Sequence, residues 1–165
     1  MSNTEQNLAT AFAGESQANR KYLAFSKQAA AEGYDQVAKL FRATAEAETI
    51  HAHSHFKVMD GIKSTAENLK TAVAGETYEF TVMYPEFIKE AEKEGNSQAL
   101  RTFNMANSAE AGHAAIYQKA LDSLGKNETT DYYVCSICGQ LHEGKEPPAK
   151  CPICGAGAAA FKKID

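Results

Sequence analysis

With 165 residues, 44% of them hydrophobic, and a formal charge of -4, the chain has room for one domain, alone or with a small appendage. It carries no basic stripe, which argues against nucleic acid as a partner, and no apolar run approaches the ~18–20 residues of a membrane span. The start, Met-Ser-Asn-Thr-Glu-Gln, lacks signal-peptide character, and all four cysteines fall in the last 31 residues as two Cys-x-x-Cys pairs. A reducing cytoplasm and a metal site are therefore expected, not a disulfide framework.

Four long helical patterns come first. Ser2-x-x-Glu5 has the form of a capping box; Leu8, Phe12, Glu15, Tyr22, Phe25 and Ala29 then share one face at helical spacing, and Gly33 ends the run. Asp35 is expected to cap a second helix whose face carries Val37, Phe41, Thr44, Glu48, His51, His55 and Met59, closed by Gly61. A second capping box, Ser64-x-x-Glu67, opens a third helix through Leu69, Val73, Glu76, Glu79 and Phe80 towards Gly95. Pro85 lies inside it and frees a carbonyl one turn earlier, so a bend is expected there. Asn96 or Ser97 caps a fourth helix with Phe103, Glu110, His113, Tyr117, Leu121 and Leu124 inward and Gly125 as the stop. The expected division is a helical domain over 1–125, a polar linker over 126–131, and a module over 132–165 that is too short to fold without a metal.

The chemistry lies in a repeat. Ala13-Gly14-Glu15 is followed by Glu48-Thr49-Ile50-His51, and Ala74-Gly75-Glu76 by Glu110-Ala111-Gly112-His113, at glutamate offsets of 33 and 34 residues. A single glutamate is best read as a solvated charge, as we read Glu46, Glu67, Glu90, Glu92 and Glu94. The four repeated ones sit among apolar positions with no Lys or Arg on their faces. A carboxylate taken from water must protonate, pair or bind metal. Residues three apart project from one side of a helix, so each Glu-x-x-His can offer a carboxylate and an imidazole to one metal pair. The two remaining glutamates complete the inventory of a carboxylate-bridged di-metal helix bundle. Oxygen donors with one imidazole per metal suit iron or manganese.

One residue breaks the symmetry, because Glu79 has Ala18 as its counterpart in the first copy. Five carboxylates then face the four positive charges of two ferrous ions. Exchange of one carboxylate for neutral His51 on reduction, with Glu79 favoured in the ferric state, is a redox-linked swap that identical ligands in oxidised and reduced crystals would exclude. His55 lies one turn beyond His51 and fits a supporting or packing role, and His53 a solvent-exposed one. Gly14, Gly75 and Gly112 each cost ~1 kcal/mol in mid-helix; close helix packing near the metals is the favoured account, with a local helix irregularity as its rival.

Cys135-Ser-Ile-Cys138-Gly139 and Cys151-Pro-Ile-Cys154-Gly155 form matched knuckles for a tetrahedral four-thiolate site. Glycine after the second cysteine permits a tight turn whose backbone N–H groups can point at sulfur. The geometry suits structural zinc and redox iron alike.

The segments FAGESQANRKYLAF, AEAETIHA, ENLKTAVAGETYEFTVMYPEF and CPICG resemble the rubrerythrin family, and the resemblance extends over essentially the whole chain. It implies a mainly α fold: a ferritin-like four-helix bundle followed by a small rubredoxin-like β/loop metal domain. It implies a di-iron site, with or without an oxo bridge, held by Glu15, Glu48, Glu76, Glu79, Glu110 and His113, with His51 as the alternate ligand. Bridging roles fall to Glu48 and Glu110, terminal ones to Glu15, Glu76 and His113. Tyr22 and Tyr84 match tyrosines that accompany these ligands, against the plain reading of core tyrosines. Cys135, Cys138, Cys151 and Cys154 would hold a rubredoxin-type FeS4 iron, with zinc as the alternative.

The activity implied is a peroxidase that reduces hydrogen peroxide to water in oxidative-stress protection, with Glu79, His51, Tyr22 and Tyr84 as its catalytic residues. Electrons would pass singly through the FeS4 centre from an NAD(P)H-driven reductase or a separate rubredoxin, since this chain has no nucleotide fingerprint. A ferroxidase or iron-storage protein is the rival, and a zinc-ribbon interaction protein would leave seven inward ligands unexplained. A homodimer is expected for a geometric reason. If the second and third helices run parallel, as the resemblance implies, about 20 Å from Glu48 to Gly61 and about 15 Å to Glu76 must be regained. Gly61 to Thr65 spans at most ~18 Å. Either these helices are antiparallel, or each bundle pairs the first hairpin of one subunit with the second of another.

Overall fold

The computed structural model describes residues 2–165, which divide into two compact units, 2–63 and 64–165. The first unit is a helical hairpin, α1 (Asn3–Ala31) and α2 (Asp35–Val58). The Ser2–Glu5 capping box starts α1, and Gly33, at φ 83°, turns the chain after it. Ala38, Ala45 and Ala52 are buried at seven-residue spacing, a small-residue seam that lets α1 approach closely. Asn19 ties the pair together by donating to the Ala45 carbonyl at 2.7 Å and the Thr49 hydroxyl at 2.8 Å. Phe12 stacks on Phe56 with ring centroids 4.8 Å apart, and Tyr22, Phe25 and Phe41 form a second aromatic group.

The second unit begins with the Ser64–Glu67 capping box and α3 (Thr65–Tyr78), followed by a π-helical turn (Glu79–Met83) and α4 (Tyr84–Glu94). Gly95 ends α4 in the left-handed conformation, and Asn96 caps α5 (Ser97–Asp122) by accepting from the Ala99 N–H. Ala91, Ala109 and Ala114 are buried, and Tyr84, Phe87 and Phe103 contact one another. Beyond α5, β1 (Tyr132–Cys135), β2 (Leu141–Glu143) and β3 (Phe161–Ile164) make a small antiparallel sheet in the order β2-β1-β3. Tyr133 pairs with His142 on one side and Lys163 on the other.

Several local expectations change. Asp35 is the first helical residue and makes no cap; Tyr34 holds the cap position without a side-chain bond, so Asp35 helps only as a negative charge at the helix start. Asp60, not Gly61, takes the left-handed conformation at φ 56°. Gly61 is needed for a different reason, because a Cβ there would overlap the Phe56 ring. Pro85 yields a π-turn upstream, closed by the Tyr84 N–H on the Glu79 carbonyl, in place of a simple bend. Leu124, Val37 and Met59, read as inward, are 44%, 44% and 36% exposed. For Val37 and Met59 the reason is that a two-helix unit covers only one side of each helix; Leu124 lies past the end of α5. Among the described residues, nothing lies within 4 Å of a Cβ built on Gly14 or Gly75, so no close helix contact inside either unit accounts for them.

Candidate metal centres

Each helical unit gathers one copy of the repeat. In the first, Glu15 from α1 and Glu48 and His51 from α2 bring their ligand atoms within 4.8 Å of one another. His51 Nδ1 lies 3.0 Å from Glu48 Oε2. The hydrogen bond between the two carboxyls holds Glu15 above the usual carboxylate range and Glu48 below it. In the second unit, Glu76 from α3 and Glu110 and His113 from α5 gather within the same 4.8 Å. His113 Nδ1 lies 2.6 Å from Glu110 and 3.5 Å from Glu76. Burial, and then the hydrogen bond and charge of Glu110, raise the Glu76 carboxyl.

Carboxyls at hydrogen-bond distance share a proton because two like charges cannot both stay ionised there. A metal cation removes that conflict and takes the proton's place. The donor set therefore fits a divalent metal in each unit, with His51 and His113 both presenting Nδ1.

Glu79 lies outside both three-residue groups, yet burial, followed by the charge of Glu76, raises it, and His113 acts on it in the opposite sense. Glu79 follows Glu76 by three residues in α register, which puts it in the field of the second cluster. Tyr84 lies in the same field: burial raises its hydroxyl first, followed by the charges of Glu110, Glu79 and Glu76. Tyr22 sits against Phe25 and Phe41. His55 acts on Glu15 through its charge without joining the cluster, and His53 is exposed. Glu46, Glu67, Glu90, Glu92 and Glu94 are all exposed, as read.

The four cysteines converge in the module, all with free thiols. Cys135 and Cys154 sulfurs are 3.7 Å apart, and Cys138 and Cys151 sulfurs 3.5 Å. A tetrahedron with metal–sulfur bonds of about 2.3 Å has edges of about 3.8 Å, so the cage fits one metal ion. Gly139 at φ 81° and Gly155 at φ 74° make the tight turns. The turns aim the Gln140 and Ala156 N–H groups at Cys138 and Cys154. Burial pushes the Cys138 thiol up to about 12. Burial also opposes ionisation of Cys151, but the Cys154 and Ile153 N–H groups and Cys138 bring it down to about 7.

The module also touches the second cluster. His113 Nε2 lies 3.1 Å from the Gly139 carbonyl; a carbonyl only accepts, so Nε2 donates and Nδ1 is the nitrogen directed at the carboxylates. A metal-binding histidine held through its other N–H by a backbone carbonyl is a common arrangement. Lys119 on α5 meets both oxygens of Glu143 on β2 at 2.8 Å. The sequence offered no direct signal for these contacts beyond one oddity, the glycine that precedes His113.

A fold built on two carboxylate–histidine helical units and a four-thiolate module defines a class: the non-haem di-iron proteins with an attached rubredoxin-like domain. The family model for rubrerythrin matches residues 6–121, and that for the rubrerythrin rubredoxin-like domain matches 133–162. The chain belongs to the rubrerythrin family. It is 39% identical to nigerythrin from Nitratidesulfovibrio vulgaris over 92% of this chain and 81% of the relative. It is 37% identical to rubrerythrin from Porphyromonas gingivalis over 99% and 90%. The solved structure of fully reduced, all-ferrous nigerythrin matches with a TM-score of 0.59 at 38% identity, covering 99% of this chain and 88% of that one. The protein is thus a di-iron oxidoreductase of the rubrerythrin type, with a four-cysteine rubredoxin-like iron site. Among the described residues, no helix is long and apolar enough to cross a membrane.

Proposed function

We propose that this protein reduces hydrogen peroxide to water at its di-iron site, drawing electrons through the four-thiolate centre, in a cytoplasmic defence against oxidative stress. The observation that carries this reading is the hydrogen bond from His113 Nε2 to the Gly139 carbonyl. His113 belongs to a carboxylate cluster and Gly139 follows Cys138 directly, so one hydrogen bond joins the two candidate metal sites. An iron-storage protein has no use for such a joint.

The ligand set we assign is Glu15, Glu48, Glu76, Glu79, Glu110 and His113, with His51 as the alternate, and Cys135, Cys138, Cys151 and Cys154 for the second site. These divide the chain into the helical domain 1–125 and the module 132–165, joined by 126–131. When held by these residues, an iron pair would supply the two electrons that, with two protons, convert peroxide to two waters. The chain's own residues do the rest. The carboxylates anchor the pair, Gly139 fixes the orientation of the His113 ring, and the exposed His51 has freedom to exchange with Glu79. Tyr84 closes the second cluster from the α4 side. The electron donor we expect is a rubredoxin or an NAD(P)H-dependent reductase.

The same reading makes the protein a homodimer with exchanged hairpins. Ferritin-like bundles contain a long crossover connection, whereas only Met59–Ser64 separates α2 from α3. With parallel helices the connection must regain about 15 Å from Glu48 to Val58 and about 16 Å from Thr65 to Glu76. Seven extended Cα steps reach at most ~25 Å. Relatives align over 181 positions against this chain of 165, so they carry residues that it lacks. A second copy would also cover Leu40 and Ile50, which are 62% and 60% exposed.

The decisive measurement is peroxide consumption by holoprotein supplied with reduced rubredoxin, before and after Cys138→Ser. Donor-linked turnover should fall by about 100-fold or more, the scale on which lost positioning acts, while chemically reduced protein still consumes peroxide in a single turnover. Full donor-linked turnover in the variant would defeat the relay and favour an iron-handling role.

A further inference from the structure

The two copies of the repeat differ at the residue before histidine: Ile50 in one, Gly112 in the other. A mid-helix glycine loosens a helix, so its presence beside His113 needs a reason. Its two counterparts higher in the repeat, Gly14 and Gly75, have empty space where a Cβ would stand. Gly112 does not. A Cβ there would come 3.3 Å from the Gln140 side-chain oxygen and 3.4 Å from its nitrogen.

Gln140 is the residue after Gly139, and its side-chain amide is held in turn by donating to the Leu141 carbonyl at 2.5 Å. The glutamine therefore lies flat in the gap left by the missing side chain. One residue on, His113 meets the Gly139 carbonyl. Two turns along the same helix, seven residues from Gly112 and so on nearly the same face, Lys119 grips Glu143. Three consecutive contacts thus fasten one edge of the module, Gly139 to Glu143, along α5. The equivalent face of α2 carries Ile50, which is 60% exposed.

We propose that Gly112 is a positioning residue. Its missing side chain is the seat for Gln140, and the seated glutamine sets the Gly139 carbonyl on His113, so that electrons leave the module by that route. This rests on the relay reading above. A larger residue at position 112 would lift the module edge away from His113 without removing any metal ligand.

The test uses fully reduced holoprotein mixed with hydrogen peroxide. Two phases would be followed: loss of peroxide at the di-iron site, then return of the ferric-thiolate colour as the four-cysteine site gives up its one electron. Comparing that second phase with the first in the same sample separates damage to the iron pair from loss of the relay. Gly112→Ile, which copies the first repeat, should slow the second phase by about 10- to 100-fold, as misplacement on the ångström scale does. It should also raise amide hydrogen exchange over Gln140–Glu143. Adding Gln140→Gly should recover part of both losses.

Gly112→Ala guards against a variant that fails to fold. Alanine strengthens a helix, and the glutamine tip must shift by only a few tenths of an ångström. A more heat-stable variant with faster exchange over Gln140–Glu143 supports the seat. Unchanged exchange in both variants would overturn it. Raised exchange with an unslowed second phase would also overturn it, by showing a seat that positions nothing. If the wild type itself shows no second phase, the relay reading fails first.

Discussion

The hairpin α1–α2 and the helices α3 to α5 hold the same three ligands, Glu, Glu and His, in the same order, and they treat them differently. His51 is 56% exposed, whereas His113 is 18% exposed and anchored through its far nitrogen to Gly139. The first cluster has Ala18 where the second has Glu79, and a regular helix where the second has a π-turn. On the reading proposed above, the duplicated ligand set would supply two metal positions, and the departures from duplication would decide which of them is held fast and which can change partners. On this view the second unit is the electron-receiving side, and the first is the side free to exchange a ligand.

The largest expected effect concerns how the two halves meet. Take one variant with Glu15→Ala and Glu48→Ala, and another with Glu76→Ala and Glu110→Ala, each unable to assemble a di-iron site alone. Co-refolded mixtures should regain iron binding and peroxide turnover, because an exchanged dimer joins the two intact hairpins in one site. A mixture as inactive as its components would show that each chain completes its own bundle.

A smaller effect separates the histidines. His113→Ala should weaken iron binding by roughly 10- to 100-fold, since it removes both a ligand and its backbone support. His51→Ala should leave the oxidised protein loaded and be felt mainly after reduction. Metal content measured in both oxidation states checks this, and equal losses for the two variants would erase the distinction.

The smallest effect is one of pH in metal-free protein. Glu15, Glu76 and Glu79 hold protons above their unfolded value of 4.5. Their stabilisation is therefore full below 4.5 and is lost as pH rises through the folded values. Glu48 is lowered, so its contribution is present above 4.5 and disappears only below it. Melting temperature without metal should accordingly rise as pH falls from neutral to 4.5. Glu76→Gln should blunt that rise, and Glu48→Gln should blunt it too, because the Glu48 carboxyl is what raises Glu15. Loaded protein should move the other way, because protons compete with iron for the same oxygens. A metal-free melting temperature that falls over this range would contradict the placement of the three raised carboxyls.

Much of this was legible in the sequence because helical spacing and ligand chemistry are local. Glu15, Glu48, His51, Glu76, Glu110 and His113 declare themselves by periodicity, and the capping boxes at Ser2 and Ser64 mark helix starts. The cysteine knuckles carry their glycines with them. What escaped depends on contacts between distant segments. Nothing near Gly112 in the chain announces Gln140, 28 positions on, and nothing near Lys119 announces Glu143. Gly61 was read as a helix stop when its task is to clear the Phe56 ring. The π-turn was half legible: Pro85 signals irregularity, but the form it takes depends on how the α3–α4 segment packs beside α5.

That π-turn acts as a frame shift in the helix. A helix advances about 100° per residue, and a single wide turn inserts one residue without breaking the rod. Everything after Met83 is therefore rotated against everything before Glu79: Glu76 and Glu79, still in α register, share one side, while Tyr84, Phe87 and Phe103 pack together beyond the turn. Deleting one residue from 79–83 would restore an ordinary helix and force a choice. Either the carboxylate side or the aromatic side would turn away, and a second cluster without Glu79 in place would have lost what distinguishes it from its own first copy.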